Sequence, residues 1–242
     1  MFKLICGELY RVLHKKSLYV YLGILAFGYV LLGIVRSGGF NDNSIVGDAS
    51  DLFYLTPALV GGFLFSAIYT DDLNAKNLIT LVGYGMGKSK IVIAKIILAT
   101  FFVTAFFGLL PLFHSTIYMG FGYKVTTAQL AAVYVVSVKY LLTTLAYIGI
   151  SSIMVYGSQR PTFSVVSYIL LAFGVIGNLL AMAVHTLNLN ISDHLISGIT
   201  NQIMAGMLGD GVPLLPIIEY ASYIIISSVL AIIIFNKKEM EF

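Results

Sequence analysis

Long apolar stretches, separated by short polar segments, fill most of the chain. About 20 helical residues cross a ~30 Å hydrocarbon core, because each residue advances a helix by about 1.5 Å. The stretches reach that length, so we predict an all-α membrane protein with six transmembrane helices. The predicted spans are Ser17–Val35, Leu52–Tyr69, Ile91–Leu112, Lys139–Tyr156, Thr162–Val184 and Pro213–Phe235.

Basic residues are distributed unevenly over the segments between these spans. With the N-terminus inside, eleven of the 14 Lys and Arg residues fall on the inner side, and only Arg36, Lys124 and Lys139 fall outside. Basic loops resist translocation, so this bias orients the chain. We therefore predict that both termini lie in the cytosol.

Composition narrows the class further. With 59% hydrophobic residues, 10% charged residues and a mean hydropathy of +0.94, the chain is too apolar for a soluble domain. We expect one transmembrane domain over residues 1–242. The net charge is +3, but the chain has no soluble face large enough for its Lys and Arg residues to form a basic patch, which argues against a nucleic-acid partner. The single cysteine, Cys6, excludes an internal disulfide.

The first 16 residues have an amphipathic pattern. A helix lying in the inner interface is predicted, with its basic side chains toward anionic lipid headgroups. The alternative is a charged flank of the first span that forms no helix. The apolar side would hold Phe2, Ile5, Leu9, Val12 and Leu13, and the charged side Lys3, Glu8, Arg11 and Lys15.

On the opposite side of the membrane, most connections lack such a pattern. We predict irregular loops over Arg36–Asp51 and Phe113–Leu130, although an interfacial helix over Thr127–Val138 could lead into the fourth span. Apolar residues at every fourth position predict one outer helix, over Ser192–Leu208.

The connection between the second and third spans has its own helix signals. Thr70 is a candidate N-cap, and Asp71 and Asp72 would lie in the first turn, where carboxylates favour the helix dipole. Gly83 or Gly85 would end this helix. A basic turn, Gly87–Lys90, then leads into the third span.

Motifs for catalysis, cofactors or metals are weak. The segment Gly83–Ser89 resembles a phosphate loop, but Val82 stands where the first glycine is required. Ser151 and His185 fall near opposite ends of their spans, too far apart to act as nucleophile and base. His185, Asp193 and His194 lack a recognised metal-ligand spacing. We predict no catalytic, cofactor or metal site.

Glu219 is the one carboxylate expected within a span, about 9 Å from the outer end of the sixth. Ionisable groups in lipid are costly and often functional. Two interpretations stay open for it. It could act as an outer gate or substrate contact, or it could form a structural pair, for example with Lys139.

Three features together resemble the membrane subunit of ABC-2 type ABC exporters, especially the short permeases of lantibiotic or bacitracin immunity and peptide export. One is the N-terminal helix that ends in Arg11–Lys16, which resembles the family's elbow helix. Another is the segment Tyr69–Leu78 followed by Gly87–Lys90 and Lys95, where lysine stands for the family's usual arginine and Asp71 or Asp72 for its glutamate. The third is the outer helix before the sixth span.

This resemblance implies a transporter in the bacterial cytoplasmic membrane that hydrolyses no ATP itself. ATP and magnesium would be bound by a separate ABC ATPase subunit, and a second permease copy, identical or paralogous, would complete the path for a hydrophobic or amphipathic antimicrobial peptide. The elbow residues would be Arg11, Lys15 and Lys16. The coupling helix that contacts the ATPase would present Asp71, Asp72, Leu73, Asn74, Lys76, Asn77 and Leu78.

Two other classes are weighed against this one. An ATP-independent carrier or channel for small solutes often shows internal symmetry and charged, broken spans at the midplane, and the sequence presents neither clearly. An intramembrane enzyme needs converging catalytic groups, which the spacing above does not supply.

Overall fold

The computed structural model describes residues 2–36, 44–74, 77–186, 192–209, 211 and 213–238. All secondary structure in these residues is helical. The elements are α1 (Phe2–Leu13), α2 (Lys16–Arg36), α3 (Ile45–Phe53), a π segment (Pro57–Gly61), α4 (Gly62–Phe65), a second π segment (Ser66–Thr70), α5 (Asp71–Asn74), α6 (Asn77–Gly83), α7 (Lys88–Gly120), α8 (Thr127–Ser158), α9 (Pro161–Ala172), α10 (Val175–Thr186), a 3₁₀ turn (Ser192–His194), α11 (Ile196–Leu208) and α12 (Leu214–Lys237).

Five helices in the described residues are long and apolar enough to cross a membrane, or six if one bent pair counts as a single span. The multi-pass helical architecture expected from the sequence is therefore confirmed. We number these spans in chain order: span 1 is α2, span 2 is Ile45–Leu73, span 3 is α7, span 4 is α8, span 5 is the bent pair α9 and α10, and span 6 is α12.

Spans 3 and 4 are longer than the sequence predicted. α7 continues to Gly120 and α8 begins at Thr127, so the predicted loop Phe113–Leu130 is wrong and only a short turn separates the two helices. Gly122 adopts a positive φ of 87° in that turn. Thr126 then caps α8, because its side chain and that of Gln129 satisfy each other's backbone N–H groups.

The predicted irregular loop Arg36–Asp51 is also wrong over its last part, while residues 37–43 lie outside the described residues. Ile45, Ala49 and Phe53 recur at helical spacing and are all buried, so they form the packed face of α3. The Gly, Asn and Asp residues earlier in the segment hid this short stripe.

Span 2 is not a regular α-helix. It opens into π turns at Pro57–Gly61 and Ser66–Thr70. Pro57 has no backbone N–H, which removes one α-helical hydrogen bond at the first π segment. Two tyrosines from neighbouring spans donate hydrogen bonds to backbone carbonyls there. Tyr168 donates to Pro57 O at 2.7 Å, and Tyr21 donates to Leu59 O at 2.6 Å.

Span 5 was predicted as continuous over Thr162–Val184, and it is bent instead. The axes of its two halves differ by 61°. Gly174 sits at the break with a φ of 72°, a conformation that glycine adopts without a steric penalty. Beyond the break, the described side chains of α10 are mostly exposed.

Span 4 is the central helix, in contact with α3, α7, α9, α11 and α12. The bundle has two ends. The N-terminal end carries α1, α5, α6 and the beginning of α7, and the last described residue, Lys238, lies there because Lys88 Nζ donates to its carbonyl at 2.7 Å. The far end carries α3, α11 and the turn between spans 3 and 4.

Candidate functional site: a charge ring at the N-terminal end

Four charged side chains close a ring at the N-terminal end of the bundle. Glu8 Oε2 lies 2.7 Å from Arg11 Nη2 and 2.6 Å from Lys95 Nζ. Asp72 contacts the same two cations, with its Oδ1 2.6 Å from Arg11 Nη1 and its Oδ2 paired with Lys95 Nζ. Each carboxylate therefore touches both cations. We call Glu8, Arg11, Asp72 and Lys95 the charge ring.

The charge ring is buried and balanced. The side chains of Lys95 and Asp72 are only 2% and 1% exposed. Removing charges from water is expensive, and the cost is offset only when opposite charges meet in good geometry. With two acids and two bases, the ring carries no net formal charge. Losing any one member would leave an uncompensated buried charge, which typically costs about 3–5 kcal/mol.

Three separate segments supply the ring. Glu8 and Arg11 come from α1, Asp72 from the last turn of span 2, and Lys95 from span 3, about 10 Å past its first residue. The ring therefore joins the N-terminal helix and the end of span 2 to span 3. A displacement of either segment must move span 3 or break ion pairs.

A second ion pair extends the ring toward solvent. Lys15 pairs with Asp71, and their side chains are 24% and 37% exposed. Partial burial, together with the neighbouring Arg11, lowers the pKa of Lys15, while the carboxylate of Asp72 opposes that shift. This outer pair is the more hydrated part of the network.

α1 is helical, as one of the two interpretations predicted, but much of its charged side is engaged within the chain: Lys3 is exposed, whereas Glu8, Arg11 and Lys15 form ion pairs. Its buried residues are Leu4, Glu8 and Val12, which share one face at helical spacing. Glu8 was placed on the charged side, opposite the apolar residues, and the structure corrects this, because Glu8 is buried and pairs with Lys95 inside the bundle. Of the predicted elbow residues, Arg11 and Lys15 form ion pairs and Lys16 is exposed.

The predicted coupling segment is divided between elements. Thr70 is not an N-cap: it is part of the second π segment, and its hydroxyl donates to Ser66 O at 2.9 Å. The helix of span 2 continues into Asp71 and Asp72, and α6 follows separately. The side chain of Asn74 and the whole of Lys76 lie outside the described residues.

The described coupling residues face mainly inward. Asp72 and Leu78 are buried, and Asp71, Leu73 and Asn77 are partly buried. The Asn77 side chain donates to Asp72 Oδ1 at 3.4 Å. Exposure rises sharply at the following turn, where Tyr84 is 83% exposed and Gly85 has a φ of 80°. Among the described residues of this connection, those of the turn after α6 are therefore accessible to a partner.

The far end holds a second polar cluster that the sequence analysis missed. His114, which is 1% exposed in span 3, lies between the Tyr29 hydroxyl and the Ile45 carbonyl, each 3.1 Å from a ring nitrogen. A carbonyl only accepts, so Nε2 carries the proton and Nδ1 accepts from Tyr29. Close by, Tyr118 donates to Asp48. We call Tyr29, Asp48, His114 and Tyr118 the histidine cluster.

Glu219 lies at the far end as predicted, but its partner is different from the one considered. Its Oε1 is 3.1 Å from His194 Nδ1, while the Lys139 ammonium lies 5.1 Å from the centre of the Tyr140 ring. Tyr223 donates to the His194 carbonyl at 3.0 Å. These contacts attach the 3₁₀ turn to span 6, and the gate and structural interpretations of Glu219 both remain predictions.

Glu8 is a ring member whose place sequence reasoning did not find, and Lys95 was noted only through a family resemblance. A signal for both was present. Lys95 is a charged residue within an apolar stretch, and a lysine at that depth needs a carboxylate partner. Glu8 occupies the same helical stripe as Leu4 and Val12, so an apolar face already pointed inward.

Among the described residues, no group of three His, Cys, Asp or Glu side chains is arranged to hold a metal ion. No protein-family model matches the chain, and no curated protein matches it. The fold and the candidate spans define an all-helical membrane protein of the multi-pass class.

Proposed function

We propose that this chain is the membrane-spanning subunit of an ABC exporter of the ABC-2 type. A separate ATPase subunit would bind and hydrolyse ATP with its magnesium, and a second permease copy would complete the path for a hydrophobic or amphipathic peptide. The observation that carries the proposal is the charge ring, because it joins α1 and the end of span 2 to span 3 through buried ion pairs.

The distribution of basic residues supports a cytosolic position for the ring. Lys3, Arg11, Lys15, Lys88 and Lys90 all belong to segments at the N-terminal end of the bundle. Basic segments are retained on the cytosolic side of a membrane. A cytosolic ATPase would therefore meet α1, α6 and the turn after α6, in a bacterial cytoplasmic membrane with both termini of the chain inside.

Tyr84 is the side chain on which we expect the ATPase to dock. Tyr84 is 83% exposed in the turn after α6, and aromatic residues are enriched among those that contribute most to binding at protein interfaces. Asp72 and Leu78 are already used inside the chain, so they would transmit force instead of contacting the partner.

Movement of the ATPase would reach the spans through the residues that connect to this turn. α6 follows the end of span 2, and Asp72 at that end is paired with Lys95 in span 3 and with Arg11 in α1. Closure of the ATPase would push on the turn and displace α1, span 2 and span 3 together. Pumping requires only that this shift changes the affinity of the path for its substrate.

Copurification with a coexpressed ABC ATPase tests the proposal, and genes adjacent to this one are the first source of a candidate. We expect Tyr84→Ala to lose most of the bound ATPase while the permease stays monodisperse. Tyr54→Ala is the matched control, because Tyr54 is 62% exposed but belongs to the far half of span 2. Equal recovery of the ATPase with both variants would exclude docking at this turn.

Substrate class needs a separate measurement. In liposomes containing the assembled complex, a panel of cationic amphipathic peptides is expected to stimulate ATP hydrolysis, with inactive sequence-scrambled peptides as the control. Transport of a solute by the chain alone, without an ATPase present, would contradict the exporter proposal.

An ATP-independent carrier of small solutes is the second candidate. The bend in span 5 and the buried histidine cluster favour it, because carriers place binding sites at broken helices and ionisable groups within the membrane. The same liposomes without ATPase separate the two functions.

A further inference from the structure

A cavity of about 200 Å³ lies between spans 3, 4 and 6, beside the second π segment of span 2. Ala99 of span 3 and Ile148 and Gly149 of span 4 line it, together with Ile224 of span 6. Apart from a few hydroxyl groups, its lining is apolar. Ile148 lies ten residues before the end of α8, or about 15 Å from the C-terminal end of span 4, which places the cavity at membrane depth.

Burial shows which way the cavity faces. Ala99, Ile148 and Gly149 are buried and form its floor. Thr100 is exposed and Ser228 is half-buried, and both also line it. The rim is therefore made by spans 3 and 6, and the cavity faces outward between them, toward the acyl chains of the surrounding bilayer.

An empty space of this size is unusual in a packed protein. Interiors contain few voids larger than a water molecule, because lining atoms lose dispersion contacts across a gap. An apolar cavity of about 150 Å³ already stays dry and binds benzene. At membrane depth, the abundant apolar occupant is a lipid acyl chain.

The lining of the cavity includes one polar atom without a hydrogen-bond partner among the described residues. Tyr69 lines it, is 2% exposed, and has a hydroxyl with no hydrogen-bond partner among the described residues. Buried hydroxyl groups are costly to leave unpaired. Tyr69 lies four residues, or about 6 Å, before the end of span 2, near the depth at which lipid ester groups begin.

We propose that this cavity binds one acyl chain of a membrane lipid, inserted sideways between spans 3 and 6, with the Tyr69 hydroxyl donating to the ester carbonyl of that chain. The inference does not depend on the exporter function. It assigns a lipid site directly beside the turn of span 2 that leads into the charge ring.

Photolabelling in lipid nanodiscs tests the site. The probe is a phosphatidylcholine with a diazirine in the middle of one acyl chain, diluted into unlabelled phosphatidylcholine, and the labelled residues are mapped by mass spectrometry. We expect labels concentrated on the cavity lining. Ala99→Phe fills the cavity and is expected to lose most of this labelling. Labels spread evenly over the exposed faces of all spans would overturn the proposal.

Ala105→Phe is the matched control, because it makes the same change in span 3 at an exposed position. It is expected to keep the wild-type labelling pattern. If Ala99→Phe does not yield a monodisperse protein, Ser228→Phe at the rim makes the same test. Cavity labelling that persists in a correctly folded filling variant would also overturn the proposal.

The ester contact has its own measurement. An ether-linked probe lacks the carbonyl, so wild-type protein is expected to label about fivefold less with it, from ~1 kcal/mol for one hydrogen bond. Tyr69→Phe is expected to remove the difference between ester and ether probes. Equal labelling by both probes in the wild type would exclude the hydroxyl contact.

Discussion

The charge ring and the histidine cluster are both buried and polar, yet they differ in how they hold the bundle together. The ring balances two carboxylates against two cations and attaches α1 and the end of span 2 to span 3. In the histidine cluster, His114 is hydrogen-bonded to a tyrosine of span 1 and to a carbonyl of α3. The charge ring depends on paired charges, whereas the histidine cluster depends chiefly on hydrogen bonds.

This difference determines how each region responds to change. Removing one partner of a buried ion pair leaves a charge that the interior cannot solvate. Removing one partner of a neutral hydrogen bond leaves only an unsatisfied dipole, at about 1–3 kcal/mol. The N-terminal end should therefore be the more sensitive end, and the following substitutions test that ranking.

Lys95→Met is expected to have the largest effect, because it leaves two buried carboxylates with only Arg11 to pair with. A loss of about 3–5 kcal/mol is expected. The thermal midpoint in detergent, followed as the remaining monodisperse fraction, measures it. Lys139→Met is the control, since the Lys139 ammonium faces the Tyr140 ring and such contacts are worth about 1 kcal/mol. Equal midpoints for the two variants would mean that the charge ring does not stabilise the fold as proposed.

Gly61→Ala tests span 2 between the two clusters. A Cβ at Gly61 would overlap the Tyr168 hydroxyl and lie 2.8 Å from Thr144 Cγ2, so the packing must shift at about 1–3 kcal/mol. Gly62→Ala is the neighbouring control, because its Cβ would lie at an ordinary 3.7 Å from Tyr168. A midpoint for Gly61→Ala no lower than that of Gly62→Ala would mean that Tyr168 does not pack against this turn.

His114→Phe keeps a ring of similar size but removes both hydrogen bonds of the imidazole. We expect a loss of about 1–3 kcal/mol, smaller than that of Lys95→Met. Tyr29→Phe removes only one of the two bonds and should cost less. If His114→Phe proves more damaging than Lys95→Met, the ranking of the two ends is reversed.

Asp71→Asn should have the smallest effect. Its pair with Lys15 is partly hydrated, and exposed ion pairs contribute about 0–1 kcal/mol. Raising the salt concentration should shrink the difference between wild type and this variant, because salt screens exposed charges. Thermal midpoints at low and high salt provide the comparison, and a large, salt-independent loss would place Asp71 within the buried ring.

Hydropathy was sufficient to predict a multi-pass helical protein and the approximate positions of its long helices, because a stretch of about 20 apolar residues can satisfy its backbone in a bilayer by forming a helix. The bend in span 5 and the π turns of span 2 were not predicted. Straight and broken helices have the same apolar content. Gly174 and Pro57 can be read from the sequence, but neither residue alone predicts a bend or a π turn.

The candidate site was predicted in part. Arg11 and Lys15 were predicted as elbow residues and Asp71 and Asp72 as coupling residues, without a contact between the two sets, and the structure brings all four together. Their orientation was not predictable from the local pattern, since an amphipathic helix can point its charged face at water, at headgroups or at a buried lysine. Only the distant Lys95 decides among these, and that contact spans 87 positions from Glu8.

The π turns of span 2 have a consequence for the phase of that helix. Each π turn holds one more residue than an α-turn, and one residue corresponds to about 100° of rotation and 1.5 Å of rise. Deleting Ala58 would leave hydropathy and charge almost unchanged, yet it would swing Asp72 about a quarter of a turn away from Lys95 and Arg11. A single-residue deletion in the middle of span 2 would thus separate the members of the charge ring without altering any charged group.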